Sequence, residues 1–122
     1  MKLYFLSFLV VFYSCINRTS NAIICTMEFR TIAIKVNGDS LHRFFTIRQN
    51  TGDTIRFNQG NIFNKNSYPV LDDSYQSRIV NNTENFRFIG IINDSIVVNE
   101  LFVIKADQCH IQYVSGNLEV TL

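Results

Sequence analysis

Tryptophan is absent from this chain, proline occurs once, histidine twice and cysteine three times in 122 residues. Each scarcity removes something. A zinc site takes three or four converging donors. His42 and His110, without any C-x-x-C pair, do not supply them. No glycine-rich phosphate loop and no G-x-S-x-G elbow occurs. The adjacent carboxylates Asp72 and Asp73 lack the alternating oxygen ligands and glycine of a calcium loop, and read as a solvated turn. No two carboxylates can be assigned to facing walls of a cleft, as glycoside hydrolysis requires. Neither charge sign dominates: 11 Lys and Arg are scattered among 10 Asp and Glu, for a net charge of +1. A nucleic-acid footprint needs cations gathered on one face, so no nucleic-acid partner is expected. The residues point to no cofactor, no metal and no enzyme.

What is present begins at the N-terminus. Lys2 precedes an uncharged apolar run, "LYFLSFLVVFY", residues 3 to 13. The run is shorter than the roughly 20 residues a membrane span needs, and reads as the core of an export leader. "VFYSC", residues 11 to 15, then ends in a small residue followed by cysteine. This resembles the lipobox of bacterial lipoproteins. The resemblance implies cleavage after Ser14 and lipidation of Cys15, although Phe12 and Tyr13 depart from the usual pattern. The rival is ordinary cleavage after Ala22 in "SNA", which would release a secreted domain. With lipidation, 1–14 is the leader, 15–24 a polar linker and 25–122 the folded domain. Residues 16 to 24 can reach at most about 30 Å, so a lipid-anchored domain stays near its membrane.

Either route takes Cys15 out of the thiol inventory. Cys25 and Cys109 remain, an even number in an oxidising compartment, and a disulfide between them is expected. Cys109 stands beside His110 in "DQCHIQYV". A cysteine–histidine nucleophile pair needs both side chains within hydrogen-bond reach. Neighbours in one strand point to opposite faces. Cys109, Ile111 and Tyr113 then face the core, as Cys25, Met27 and Phe29 are expected to, so that the two cysteines meet across the sandwich, and His110, Gln112 and Val114 face away.

The rest reads as short strands and turns with little or no helix, since no apolar 3.6-residue period persists. In "CTMEFRTIAIKV", residues 25 to 36, Cys25, Met27 and Phe29 share one face and Ile32, Ile34 and Val36 the other, with a phase slip at Arg30–Thr31. Asn37–Gly38 predicts a tight hairpin. Strands follow over 42–49, 54–58, 68–80, 84–92 and 95–106, and in "CHIQYV" and "NLEVTL". "DSL" at 39, "DTI" at 53 and "DSI" at 94 resemble an O-glycosylation signal of exported bacterial proteins, and equally fit ordinary Asp-Ser and Asp-Thr turns.

Several residues together carry a wider resemblance: Cys25 before the first strand; Tyr68, Val70, Asp73 and Tyr75 in the middle; Asp107, Cys109, His110 and Ile111 near the end. Over residues 25 to 115 this pattern resembles small exported bacterial domains of the carboxypeptidase-regulatory-like, or transthyretin-like, type. The turn after the first strand, "NGDSLH", is shorter than that family's. The resemblance implies an all-β fold, a single seven- to eight-stranded Greek-key β-sandwich, without catalytic residues. The expected function is a lipid-anchored envelope domain that binds or scaffolds a protein or glycan through its sheet edges and the loops 59–67 and 72–83. The alternative is a soluble secreted sandwich serving as an enzyme accessory or inhibitor, or an enzyme with a loop site near His42, Asp72 or Asp73.

Overall fold

In the computed structural model, residues 24–58 and 65–122 are described. The leader, Ser14, Cys15, the linker up to residue 23 and residues 59–64 of the expected contact loop lie outside them. Eight strands form among the described residues: β1 Thr31–Asn37, β2 Arg43–Arg48, β3 Thr54–Ile55, β4 Ser67–Asp72, β5 Thr83–Ile92, β6 Ser95–Ala106, β7 Ile111–Ser115 and β8 Glu119–Thr121. They make two sheets. The smaller has the order β4-β1-β8, and the larger β3-β2-β5-β6-β7. The fold is an all-β sandwich, as the sequence leads one to expect.

Alternation explains the packing. In β1, Ile32, Ile34 and Val36 are buried while Thr31, Ala33 and Lys35 are exposed. They meet Phe44, Phe86, Phe88, Phe102 and Ile104 of the larger sheet in one apolar core. Phe86, Phe88 and Phe102 are fully buried, at about 1.5–3 kcal/mol of transfer free energy each. A buried polar bond links the two sheets: the Thr46 hydroxyl of β2 donates to the Val70 carbonyl of β4 at 2.6 Å.

Three expectations change in the structure. Asn37–Gly38 is not a hairpin, because β1 and β2 belong to different sheets and the chain crosses between them here. The hairpins are β2–β3, β6–β7, and β5–β6 across Asn93–Asp94, whose positive φ angles of 48° and 61° suit that tight turn. The expected strand over 68–80 stops at Asp72, whose side chain caps a short 3-10 helix, Asp73–Arg78. The first strand starts at Thr31 rather than residue 25. Its partner β4 ends opposite it, at the pair Thr31–Asp72, so residues 24–30 have no strand to pair with. Met27 and Phe29 are therefore exposed rather than inward.

Gly116, between β7 and β8, has φ +132°, and a Cβ there would lie 2.6 Å from Phe102 Cδ1 and 2.9 Å from the Leu101 carbonyl oxygen. Gly116→Ala is expected to destabilise the protein by about 1–3 kcal/mol through strain and overpacking. Urea unfolding measures this, and an unchanged midpoint would contradict the close approach.

Candidate functional site

The unpaired segment 24–30 is held to the sandwich by one polar cluster and one covalent bond. Cys25 and Cys109 form the expected disulfide, with Cα atoms 5.2 Å apart. The bridge sits on the surface, not across the core: Cys25 is exposed and Cys109 half-buried. Strand alternation does not reach Cys109 and His110, because β7 begins only at Ile111. The two residues lie in a turn where Asp107 Oδ1 accepts from both backbone N–H groups, each at 2.8 Å. Those bonds, led by the one from His110, hold the Asp107 carboxyl below its usual pKa. This local geometry turns His110 inward, against the sequence expectation, while Tyr113 and Val114 are exposed.

Asp73, read from sequence as part of a solvated turn, is the centre of the cluster. Asp72 beside it is buried too. The side chains of Asp73 and His110 are 8% and 9% exposed, and His110 Nδ1 lies 2.7 Å from Asp73 Oδ2. The same carboxylate accepts from the Arg30 N–H at 2.8 Å and the Ile111 N–H at 2.8 Å. On the far side of the ring, His110 Nε2 is 2.9 Å from the Thr26 hydroxyl. Burial works against the charge on Asp73. The bonds from Arg30, Ile111 and His110 outweigh it and lower the pKa below the ordinary 3.8.

A carboxyl with a depressed folded pKa lends stability that is complete above its unfolded pKa and drains away as pH falls through the folded value. The stability gap between the parent protein and Asp73→Asn is therefore expected to hold steady above about pH 5 and narrow below about pH 4. Urea unfolding from pH 7 to pH 2 checks this, and a gap that stays constant throughout would contradict it.

Thr26, His110 and Asp73 stand in the order of a hydroxyl nucleophile, its base and the base's orienting carboxylate. Acyl transfer also needs free donors aimed at the developing oxyanion. Here the N–H groups of Cys109 and His110 are committed to Asp107, and those of Arg30 and Ile111 to Asp73. The cluster is organised as a clamp on the chain.

The other side of the 3-10 helix borders a recess. A cavity of about 210 Å³ is lined by Asp53, Thr54 and Ile55 around β3 and by Ser74, Tyr75 and Arg78. Two guanidinium groups lie over the Tyr75 ring, Arg48 at 5.7 Å and Arg78 at 5.1 Å from its centre. Arg48 is itself gripped by Glu84 through two bonds of 2.7 and 2.8 Å, and this pairing, foremost, raises its pKa well above the ordinary value. Arg78 is exposed and has no carboxylate partner among the described residues. The buried Tyr75 hydroxyl has no hydrogen-bond partner among them. Pockets for drug-sized ligands run to about 300–1,000 Å³, so this recess suits one side chain or one sugar unit.

The expected contact loop 72–83 thus contributes Ser74, Tyr75 and Arg78. His42 is not brought to Asp73. It lies where β2 begins opposite Ile91 and accepts from the Asn93 N–H, whereas Asp73 and His110 lie where β6 ends at Ala106. Of the three Asp-Ser/Thr motifs, Thr54 and Ser95 are first residues of strands, and Ser40 lies in the crossing between sheets. No group of three or more His, Cys, Asp and Glu side chains able to hold a metal occurs among the described residues. No helix there is long and apolar enough to cross a membrane. Compared with family models, curated proteins and solved structures, the chain matches none.

Proposed function

We propose that this chain is a lipid-anchored, non-catalytic domain of a bacterial cell envelope that binds or scaffolds another envelope component, protein or glycan. The observation that carries this reading is the Cys25–Cys109 bridge. A structural disulfide belongs to an oxidising compartment, and this one fastens the chain ten residues after Cys15. A pull on a lipid at Cys15 would be taken up at the bridge and the Asp73 cluster rather than peeling β1 from its sheet. The hydroxyl, imidazole and carboxylate that a reaction would use are engaged in that clamp. Arg78 and Ser74, both exposed beside the recess, offer contacts to a partner.

Two measurements in cells test the reading. Labelled palmitate enters the parent chain and is absent from Cys15→Ser. A photo-crosslinking residue at Ser74 yields one adduct of reproducible mass, and the same residue at Ala33, exposed on β1 of the smaller sheet, does not. Turnover of a peptide or glycan by the purified protein that disappears in His110→Ala would overturn the non-catalytic reading.

A further inference from the structure

The recess beside the 3-10 helix carries two charges of opposite sign that do not satisfy each other. Its walls come from different parts of the chain: Asp53, Thr54 and Ile55 around β3, and Ser74, Tyr75 and Arg78 on the helix. Asp53 and Arg78 are both exposed and line the same recess. Neither takes part in an ion pair among the described residues. Asp53 Oδ2 accepts from the Thr51 hydroxyl at 2.9 Å, which leaves Oδ1 without a partner among them. The Arg78 guanidinium is placed by its position over the Tyr75 ring, and its own donors meet no acceptor among the described residues. The neighbouring cation is committed: Arg48 donates to Glu84 through two bonds and to the Arg78 carbonyl at 3.4 Å.

These groups select among ligand classes. A simple anion would meet the Asp53 carboxylate as well as Arg78, and a metal ion would meet the Arg78 cation. A sugar unit would find no open aromatic face to stack on, since Tyr75 is 6% exposed. A molecule that carries a carboxylate and an ammonium together answers both walls. The carboxylate matches the planar fork of Arg78, and the ammonium donates to Asp53. Size agrees. The recess, at about 210 Å³, holds several times the roughly 30 Å³ share of one water and falls below the pockets of drug-sized ligands.

We propose that the recess binds a free α-amino acid with a small side chain, its carboxylate on Arg78 and its ammonium on Asp53. This rests on the reading of the recess as a contact site and gives that site a ligand class. Chemical-shift titration of the isotope-labelled full chain tests it, read at the amides of Thr54, Ser74 and Arg78, with Ala33 on the smaller sheet as the control. L-Alanine is expected to shift the three amides to saturation with a dissociation constant on the order of 1 mM, because exposed charge pairs are individually weak. Acetate and ethylamine, each with one of the two charges, are expected to bind about 5-fold more weakly.

R78Q and D53N are each expected to weaken alanine about 5-fold, and D53N to strengthen acetate by removing a like charge. Both side chains are exposed, so the variants keep the fold, and unchanged amide shifts elsewhere verify it. Alanine binding that D53N leaves unchanged, or acetate binding as tight as alanine's, would overturn the proposal in favour of a plain anion site. Saturation by N-acetylglucosamine and not by alanine would overturn it in favour of a sugar site, and no saturation by any of these probes would overturn it outright. A Ser74 adduct in cells without alanine binding would keep the partner reading and sink this one, and alanine binding without an adduct would do the reverse.

Discussion

Removing the disulfide, as Cys25→Ser with Cys109→Ser, is expected to lower the unfolding free energy by about 4–5 kcal/mol at 25 °C. The bridge joins residues 84 apart, so without it the unfolded chain regains nearly the full freedom of the domain. Chain-entropy estimates rise slowly with loop length, and this loop is near the upper end of the usual range. The native side of the balance adds to the effect. Residues 24–30 pair with no strand, so the bridge and the Asp73 cluster are what hold them. For a domain whose total stability is on the order of 5–15 kcal/mol, the loss is a large fraction. Urea unfolding of the double variant measures it. A loss under about 1 kcal/mol would mean that the bridge carries little of the fold.

Asp73→Ala is expected to cost about 3–5 kcal/mol, the range for stranding one partner of a buried pair. Three donors lose their acceptor at once: the N–H groups of Arg30 and Ile111 and the imidazole of His110. Those groups bind three separate stretches of chain, before β1, at the start of β7 and at the turn bearing Cys109. Each buried donor left unpaired costs about 1–3 kcal/mol, with some relief as water enters. Asp73→Asn keeps an acceptor oxygen and is expected to lose less. Combined with the cysteine double variant, Asp73→Ala is expected to cost less than the sum, because both changes free the same segment. Urea unfolding of the four proteins in this cycle gives the comparison. An Asp73→Ala protein within about 0.5 kcal/mol of the parent would show the cluster to be ornamental.

The strands were legible where alternation is strong and both neighbours are present. The phase of Ile32, Ile34 and Val36 holds, and β6 runs over Ser95–Ala106 as its sequence predicts. The disulfide pairing was also legible, from counting alone. What alternation cannot show is where a partner strand ends. Met27 and Phe29 continue a strand-like pattern, yet β4 turns into the 3-10 helix at Asp73 and leaves them without a sheet. The same turn hid the role of Asp73: its donors come from residues 43 positions before it and 37 and 38 after it. Adjacent aspartates look solvated until such distant groups arrive. The recess at Tyr75 needed β3 to fold back beside the helix, which no local spacing reveals.

The intact mass of the protein taken from its native membrane, with thiols alkylated before and after reduction, tests the central claim most directly. The expected result is a chain beginning at Cys15 with added acyl mass, and two thiols that label only after reduction. A chain beginning at Ile23 would contradict the anchor while leaving a secreted sandwich. A full-length chain whose cysteines label without reduction would contradict export altogether.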